Sequence, residues 1–194
     1  RDNITDWDKY KQNLRQMLGQ ETKFTRFIHA TAAEHPQRVV FAEGEHNTMM
    51  KAAVQAKTEG ICQPILLGNP DRLNRLAQRL KLDLSDIQII DMRADQEHGR
   101  RATYAKHLAK KRARQGYNFE EAYDKMYERN YFGMMMVETG EADAFITGLY
   151  TKYSNTIKVA KEVVGIRPEY NTFATMHILN TQKGAFYISD TLIN

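Results

Sequence analysis

The chain has 194 residues, of which 42% are hydrophobic and 27% charged. It is therefore long enough to bury a core of its own, and its composition excludes a disordered tail. The net charge of +4 permits an anionic ligand without requiring nucleic acid. The single cysteine, Cys62, excludes an internal disulfide framework and a multi-cysteine zinc site.

The sequence shows no apolar stretch long enough to cross a bilayer and no signal peptide at its start. We therefore expect a cytoplasmic location, with no membrane and no nucleic acid among the partners.

Two helices are predicted at the start, over residues 5–18 and 22–34. The second ends at His35-Pro36, because the residue before a proline disfavours helical backbone. We interpret residues 1–36 as a helical connector and residues 37–194 as part of a second unit.

From Arg38 onward, short apolar runs alternate with helical segments. This alternation is typical of an α/β protein with a doubly wound, mostly parallel sheet flanked by helices. The last predicted strand lies close to the end of the chain, where such a sheet usually continues, so we expect a truncated fold. The predicted strands are 39–42, 64–67, 87–90, 144–148, 173–179 and 185–189, and the helices are 47–59, 71–80, 98–115, 119–138 with a break near Asn130, and 154–164.

Several common motifs are absent from the sequence. It contains no P-loop, no Gly-x-Gly-x-x-Gly, no Gly-x-Ser-x-Gly and no His-Glu-x-x-His. The histidines are scattered singly, which predicts no metal site.

Glu43 and Glu45 follow the first strand, at the edge where open α/β sheets place their ligands. Two carboxylates there are able to hold a hydroxyl or an amide. The alternative is an ordinary loop in which Asn47 caps the next helix.

The basic segment 100–114 contains seven Lys or Arg residues and no acid. Most of it is predicted to be a solvated helix face. Arg112, however, follows Tyr104 and Leu108 at intervals of four residues and so shares their apolar side. An inward arginine requires an anionic partner, either a carboxylate or a bound phosphate.

A third candidate cluster follows the strand at 144–148. Thr147, Gly148, Ser154 and Thr156 offer hydroxyl groups and free amides at a helix start, and Lys158 lies one turn beyond Ser154. These features predict a phosphate site, with simple helix capping as the alternative.

The adjacent Met134, Met135 and Met136 supply more apolar surface than one side of a helix needs. They are predicted to serve either the helix core or, in part, a homodimer interface.

Five segments in order resemble the phosphate acetyltransferase and butyryltransferase family. They are 38–45 (RVVFAEGE), 64–69 (PILLGN), 131–137 (YFGMMMV), 140–148 (GEADAFITG) and 183–191 (KGAFYISDT). The resemblance runs from about residue 38 to 194. It implies the phosphotransacetylase fold, which is similar to that of isocitrate and isopropylmalate dehydrogenases.

Segments 4–10 (ITDWDKY) and 189–194 (SDTLIN) look closer still to bacterial NADP-dependent malic enzymes. In these proteins a phosphotransacetylase-like domain follows the malate-oxidising domains and is linked to regulation by acetyl-CoA. The resemblance implies a regulatory, homo-oligomeric domain that binds acetyl-CoA or another small anion, with NADP and a divalent metal bound upstream. A genuine acyltransferase and a structural dimerisation module are the alternatives.

The resemblance also assigns roles to the candidate residues. Arg112 matches an arginine near the family's CoA and acyl phosphate site, and Thr147, Gly148, Ser154 and Thr156 fall in its strand-to-helix ligand loop. Lys158 stands where active acetyltransferases carry an arginine. The lysine keeps the positive charge but lacks the planar guanidinium group that binds phosphate at two points. The family's Ser-Arg pair and catalytic aspartate belong to a later segment, so we expect no catalytic residue in this chain.

Overall fold

The computed structural model describes residues 23–181 and 183–189. The predicted helix at 5–18 lies outside the described residues. The elements are α1 (Lys23–Glu34), β1 (Gln37–Phe41), α2 (Asn47–Thr58), β2 (Cys62–Leu67), α3 (Pro70–Leu80), β3 (Gln88–Ile90), a 3₁₀ turn (Asp95–Glu97), α4 (His98–Arg112), a second 3₁₀ turn (Ala113–Gln115), α5 (Phe119–Lys125), α6 (Arg129–Glu138), β4 (Ala144–Ile146), α7 (Tyr153–Val163), β5 (Met176–Thr181) and β6 (Gly184–Ser189).

Four strands form a parallel sheet in the order β3-β2-β1-β4. Strand β1 is central, with Val40 opposite Ile65 of β2 and Phe145 of β4. The short apolar runs become central strands because helices cover both faces of the sheet. The chain winds from β1 toward β2 on one side and returns to β4 on the other, so a topological switch point lies between β1 and β4.

Alternate side chains of the strands enter two separate cores. Val39, Phe41 and Leu66 pack with helices α2 and α3 on one face of the sheet. Val40, Ile65 and Leu67 pack with helices α4, α6 and α7 on the other face. The predicted doubly wound α/β architecture is confirmed by this arrangement.

Helix α6 is buried on all sides, which explains its unusual run of methionines. Met134, Met135 and Met136 have exposed fractions of 6%, 0% and 2%. All three therefore belong to the chain's own core, which was one of the two predicted uses of these methionines, and the homodimer stays a prediction.

Strands β5 and β6 form an antiparallel hairpin separate from the parallel sheet. Both strands were predicted from the sequence, and the structure pairs them with each other and not with the four-stranded sheet. Only two residues, 182 and 183, separate the strands, and a parallel pairing requires a much longer crossover.

Two local boundaries also differ from the sequence prediction. Helix α2 is capped by His46, whose Nδ1 accepts a hydrogen bond from the Thr48 amide at 3.2 Å, so Asn47 is not the cap. The long stretch 119–138 breaks at residues 126–128, just before the predicted position. Within the described residues, no helix combines the length and apolarity needed to cross a membrane.

Candidate functional site

Glu43 lies just beyond β1 and is completely buried. Its Oε1 accepts hydrogen bonds from the Thr147 hydroxyl at 3.0 Å and from the amides of Gly148, Leu149 and Tyr150 at 3.1, 3.2 and 3.4 Å. Glu43 therefore binds a hydroxyl group and amides, as the sequence predicted for a carboxylate at this edge. These groups belong to the chain itself and not to a ligand. It fixes the loop that leads from β4 to α7.

The amides that directly follow β4 are not free, although the free amides predicted from the sequence belong to the helix start further along. The amides of Gly148, Leu149 and Tyr150 are directed at a protein carboxylate, so they do not form an open phosphate cradle. The Thr147 hydroxyl is also engaged, because it lies 3.0 Å from Glu43 Oε1 and 3.1 Å from Asn130 Oδ1.

A cavity of about 750 Å³ opens at the carboxyl edge of the sheet. Four cationic and two acidic side chains contribute to its wall, so the lining carries an excess of positive charge. The residues that line it are Glu45, Arg93, Lys125, Glu128, Arg129, Asn130, Tyr131, Tyr150, Thr151, Asn155, Lys158 and Val159.

Two helices begin beside this cavity, α6 at Arg129 and α7 at Tyr153. Neither helix start receives a hydrogen bond from a capping side chain, and neither first turn contains an acid. The partial positive charge of both helix starts therefore adds to that of the lining cations. The Arg129 guanidinium lies 5.6 Å from the centre of the Tyr150 ring, which orients it.

Of the residues in the predicted phosphate cluster, Lys158 is the one that lines the cavity. Its side chain is 70% exposed, and its Nζ lies 3.9 Å from Glu162 Oε1 on the same helix. At this distance and exposure the pair is weak, and the ammonium group remains available to a ligand.

A hydrogen-bonded cluster supports this wall from beneath. Glu162 Oε2 accepts from the hydroxyl groups of Tyr117, at 2.6 Å, and Tyr131, and Lys125 donates to the Tyr131 hydroxyl at 3.1 Å. Burial, followed by the hydrogen bond to Glu162, raises the pKa of Tyr117 to about 12 and raises that of Tyr131 as well. Burial disfavours the Glu162 carboxylate, but the hydrogen bonds from both tyrosines and the nearby lysines outweigh it and lower its pKa.

Arg112 does not reach the cavity. Its Nε donates to the Glu162 carbonyl at 2.6 Å, and its Nη2 donates to the Lys161 carbonyl. In the part of the chain that the structure describes, the inward arginine thus binds the carbonyls in the last turn of α7, where a cation is favourable. The role that the resemblance assigns to Arg112, near a CoA and acyl phosphate site, therefore stays a prediction.

Ser154 and Thr156 lie in the first turn of α7 but do not line the cavity. Ser154 is exposed to solvent. The Thr156 hydroxyl oxygen is buried and has no hydrogen-bond partner among the described residues.

The sequence reasoning missed Arg93, Lys125 and Arg129. Arg93 is the third residue after the end of strand β3, so it was predictable from the rule that ligands bind at the carboxyl ends of parallel strands. Arg129 and Lys125 lie on either side of the helix break at 126–128, and no spacing in the sequence connects them with β3 or α7.

Among the residues that the structure describes, no group of three or more His, Cys, Asp or Glu side chains is placed to hold a metal ion. The sequence also lacks the glycine fingerprint of a dinucleotide site.

The fold and the position of the cavity define an α/β protein of the class that places its ligands at the carboxyl edge of a parallel sheet. Residues 23–194 match the family model described as phosphate acetyl/butaryl transferase. The chain belongs to this family.

The relatives fall into two groups. The chain is 30% identical over 195 residues to the "NADP-dependent malic enzyme" of Escherichia coli (strain K12), a match that covers 98% of this chain and 25% of the relative. It is 27% identical over 167 residues to the "Phosphate acetyltransferase" of a Synechocystis species, covering 85% of this chain and 23% of that protein. The chain thus spans about a quarter of the length of either relative.

A solved structure, "EutD phosphotransacetylase from Staphylococcus aureus", superposes on 87% of this chain with a TM-score of 0.74 and 23% sequence identity. The superposition covers 51% of that structure. The phosphotransacetylase fold implied by the sequence resemblance is confirmed by this likeness.

Proposed function

We propose that this chain is a regulatory domain of a malic enzyme and that it binds acetyl-CoA in the cavity at the carboxyl edge of the sheet. The similarity to an NADP-dependent malic enzyme over 98% of the chain supports the choice of parent protein. Oxidation of malate, with NADP and a divalent metal, then belongs to other domains of that protein. Assembly into a homo-oligomer is part of the same proposal.

The observation that carries the proposal is the charge of the cavity wall. Arg93, Lys125, Arg129 and Lys158 face two acids, Glu45 and Glu128, within a space of about 750 Å³. Cavities that bind small molecules and cofactors span about 300–1,000 Å³. The phosphate groups of acetyl-CoA supply the anionic charge that this wall attracts.

A calorimetric titration of the purified protein with acetyl-CoA tests the proposal. Lys158→Ala is expected to weaken binding by about tenfold, the value of one charge-assisted contact. Lys106→Ala is the matched control, because Lys106 is an exposed lysine of α4 that lies outside the cavity. Absence of acetyl-CoA binding by the parent chain overturns the proposal.

A phosphate acetyltransferase is the second candidate, since the chain is also similar to such enzymes. Lys158 argues against it, because a lysine presents a point charge in place of the planar fork that the family resemblance implies. The regulatory proposal predicts no CoA-dependent turnover of acetyl phosphate. Measurable turnover by the purified protein favours the acetyltransferase.

A further inference from the structure

A second cavity, of about 310 Å³, adjoins the first at the carboxyl ends of β2 and β3. The two cavities share three lining residues, Glu45, Arg93 and Arg129. Arg72 and Asn69 lie on the wall of the second cavity alone. The two shared arginines therefore stand at the boundary between two connected spaces.

Two carboxylates line the second cavity, those of Glu45 and Asp91, and both already have hydrogen-bond or ion-pair partners. Glu45 accepts from the Asn69 amide at 3.1 Å and pairs with Arg72 at 3.4 Å. Asp91 accepts from the Asn69 side-chain amide at 3.2 Å and from the Arg93 backbone amide at 3.1 Å. Neither carboxylate is within ion-pair distance of a shared guanidinium.

Arg93 and Arg129 consequently have no carboxylate partner among residues 23–181 and 183–189. The Arg129 guanidinium lies over the face of the Tyr150 ring, 5.6 Å from its centre. Guanidinium groups match phosphate oxygens in a planar, two-point geometry, and two of them beside one space favour a group that presents several phosphate oxygens.

The backbone that carries Arg93 is held firmly. Arg101 of α4 is 2% exposed, and its Nη1 donates to the Met92 carbonyl at 2.6 Å and to the Ala94 carbonyl at 2.8 Å. Both residues that flank Arg93 are thereby fixed. Arg129 is fixed in a different way, as the first residue of the buried helix α6. Both cations thus start from rigid supports, which lowers the entropy lost when a ligand binds.

We propose that Arg93 and Arg129 together bind one phosphate group at the boundary of the two cavities, so that a bound ligand extends from the first cavity into the second. The identity of the ligand rests on the proposed function, in which this group belongs to the diphosphate of acetyl-CoA. Free inorganic phosphate compounds present the same chemistry, and the experiment separates the two sources.

The test uses Arg93→Gln and Arg129→Gln, singly and together, with Arg114→Gln as the matched control. Arg114 is an exposed arginine that lies outside both cavities. Each protein is titrated calorimetrically with inorganic pyrophosphate and with acetyl-CoA, and thermal unfolding verifies that each variant is folded. Where a glutamine variant fails to fold, the charge-conserving Arg93→Lys or Arg129→Lys replaces it.

Each single variant is expected to bind pyrophosphate about tenfold to a hundredfold more weakly than the parent, and Arg114→Gln as tightly as the parent. The double variant loses less than the product of the two single effects, because both arginines hold one group. If pyrophosphate competes with acetyl-CoA, the phosphate group that the two arginines bind belongs to the diphosphate of CoA. Pyrophosphate that binds through both arginines without competing supports a site for a free anion.

The two proposals fail in different ways. If both Gln variants bind acetyl-CoA and pyrophosphate as tightly as the parent does, the arginine subsite is wrong and the proposed function stands. If the protein binds pyrophosphate through both arginines but does not bind acetyl-CoA, the proposed function is wrong and the subsite stands. A parent protein that binds neither compound overturns both.

Discussion

The ion pair between Arg38 and Asp143 joins the start of β1 to the turn before β4. The Arg38 guanidinium donates to both carboxylate oxygens, from Nε at 3.0 Å and from Nη2 at 2.8 Å, and the Arg38 amide donates as well. These hydrogen bonds lower the pKa of Asp143 to about 2. Folding therefore stabilises the ionised form of Asp143 relative to its protonated form.

This shift predicts a specific dependence of stability on pH. An aspartate in an unfolded chain titrates near pH 3.9, so the contribution of the pair is fully present above about pH 4 and is lost as the pH falls toward 2. Asp143→Asn is expected to lower the thermal midpoint at pH 7, and its difference from the parent should shrink through that window. Asp124→Asn, at an exposed aspartate of α5, serves as the control. A difference that does not vary with pH contradicts the prediction.

Glu43 illustrates a larger effect of a single residue, because its carboxylate is the common acceptor of three backbone amides. Glu43→Ala leaves those buried donors without a partner and should lower the free energy of unfolding by about 2–4 kcal/mol. The matched control is Glu45→Ala, which removes the pair with Arg72, 68% exposed, and one hydrogen bond from the Asn69 amide. This loss should be the smaller one, about 1–2 kcal/mol. Chemical denaturation measures both, and equal losses contradict the prediction.

At the scale of elements, helix α6 packs against β4 so closely that Gly133 has no room for a side chain. A Cβ at this position would lie 2.3 Å from Phe145 Cε2. Glycine in a helix interior normally destabilises by about 1 kcal/mol relative to alanine, but here the clash reverses that preference. Gly133 thus sets the distance between the helix and the sheet.

Gly133→Ala is expected to destabilise the protein by about 1–3 kcal/mol through overpacking. Gly99→Ala in α4 is the matched control, since nothing lies within 4 Å of a Cβ at that position, and it should be neutral or slightly stabilising. Denaturant unfolding of the two variants provides the measurement. A Gly133→Ala protein as stable as the parent would show that the helix can move away from Phe145 without cost.

The sequence predicted most elements because their signals are local. Apolar runs such as 39–42 and 64–67 are separated by a segment with helical periodicity, and this local pattern alone indicates a parallel sheet. Features decided by tertiary contacts were less accessible. His46 caps α2 in place of the adjacent Asn47, although capping propensity favours the asparagine.

At the scale of the whole molecule, the candidate site depends on topology more than on motifs. The sheet order brings the ends of β3 and β4 and the starts of α6 and α7 to one edge, so Arg93, Arg129 and Lys158 meet although they are far apart in the chain. Arg112 shows the reverse case. Its helical spacing correctly indicated an inward side chain, but the carbonyls that it binds belong to a helix 50 residues away.

The excess positive charge of the cavity wall predicts that ligand binding depends on salt. Four cations and two acids line the cavity, and the chain as a whole carries a net charge of +4, so an anionic ligand is attracted both locally and at a distance. Raising the salt concentration from about 0.05 M to about 0.5 M shortens the range of these interactions to a few ångströms. Under the proposed function, the affinity for acetyl-CoA should fall roughly tenfold over this range.

Calorimetric titrations at several salt concentrations measure this dependence. Lys158→Ala removes one of the four lining cations and should reduce the slope of affinity against salt, whereas Lys106→Ala, outside the cavity, should retain the parent's slope. A parent affinity that is independent of salt would show that acetyl-CoA is held by apolar contacts and not by this cationic wall. An equal reduction of the slope by both lysine variants would instead locate the attraction in the net charge of the molecule, because only a local effect distinguishes Lys158 from Lys106.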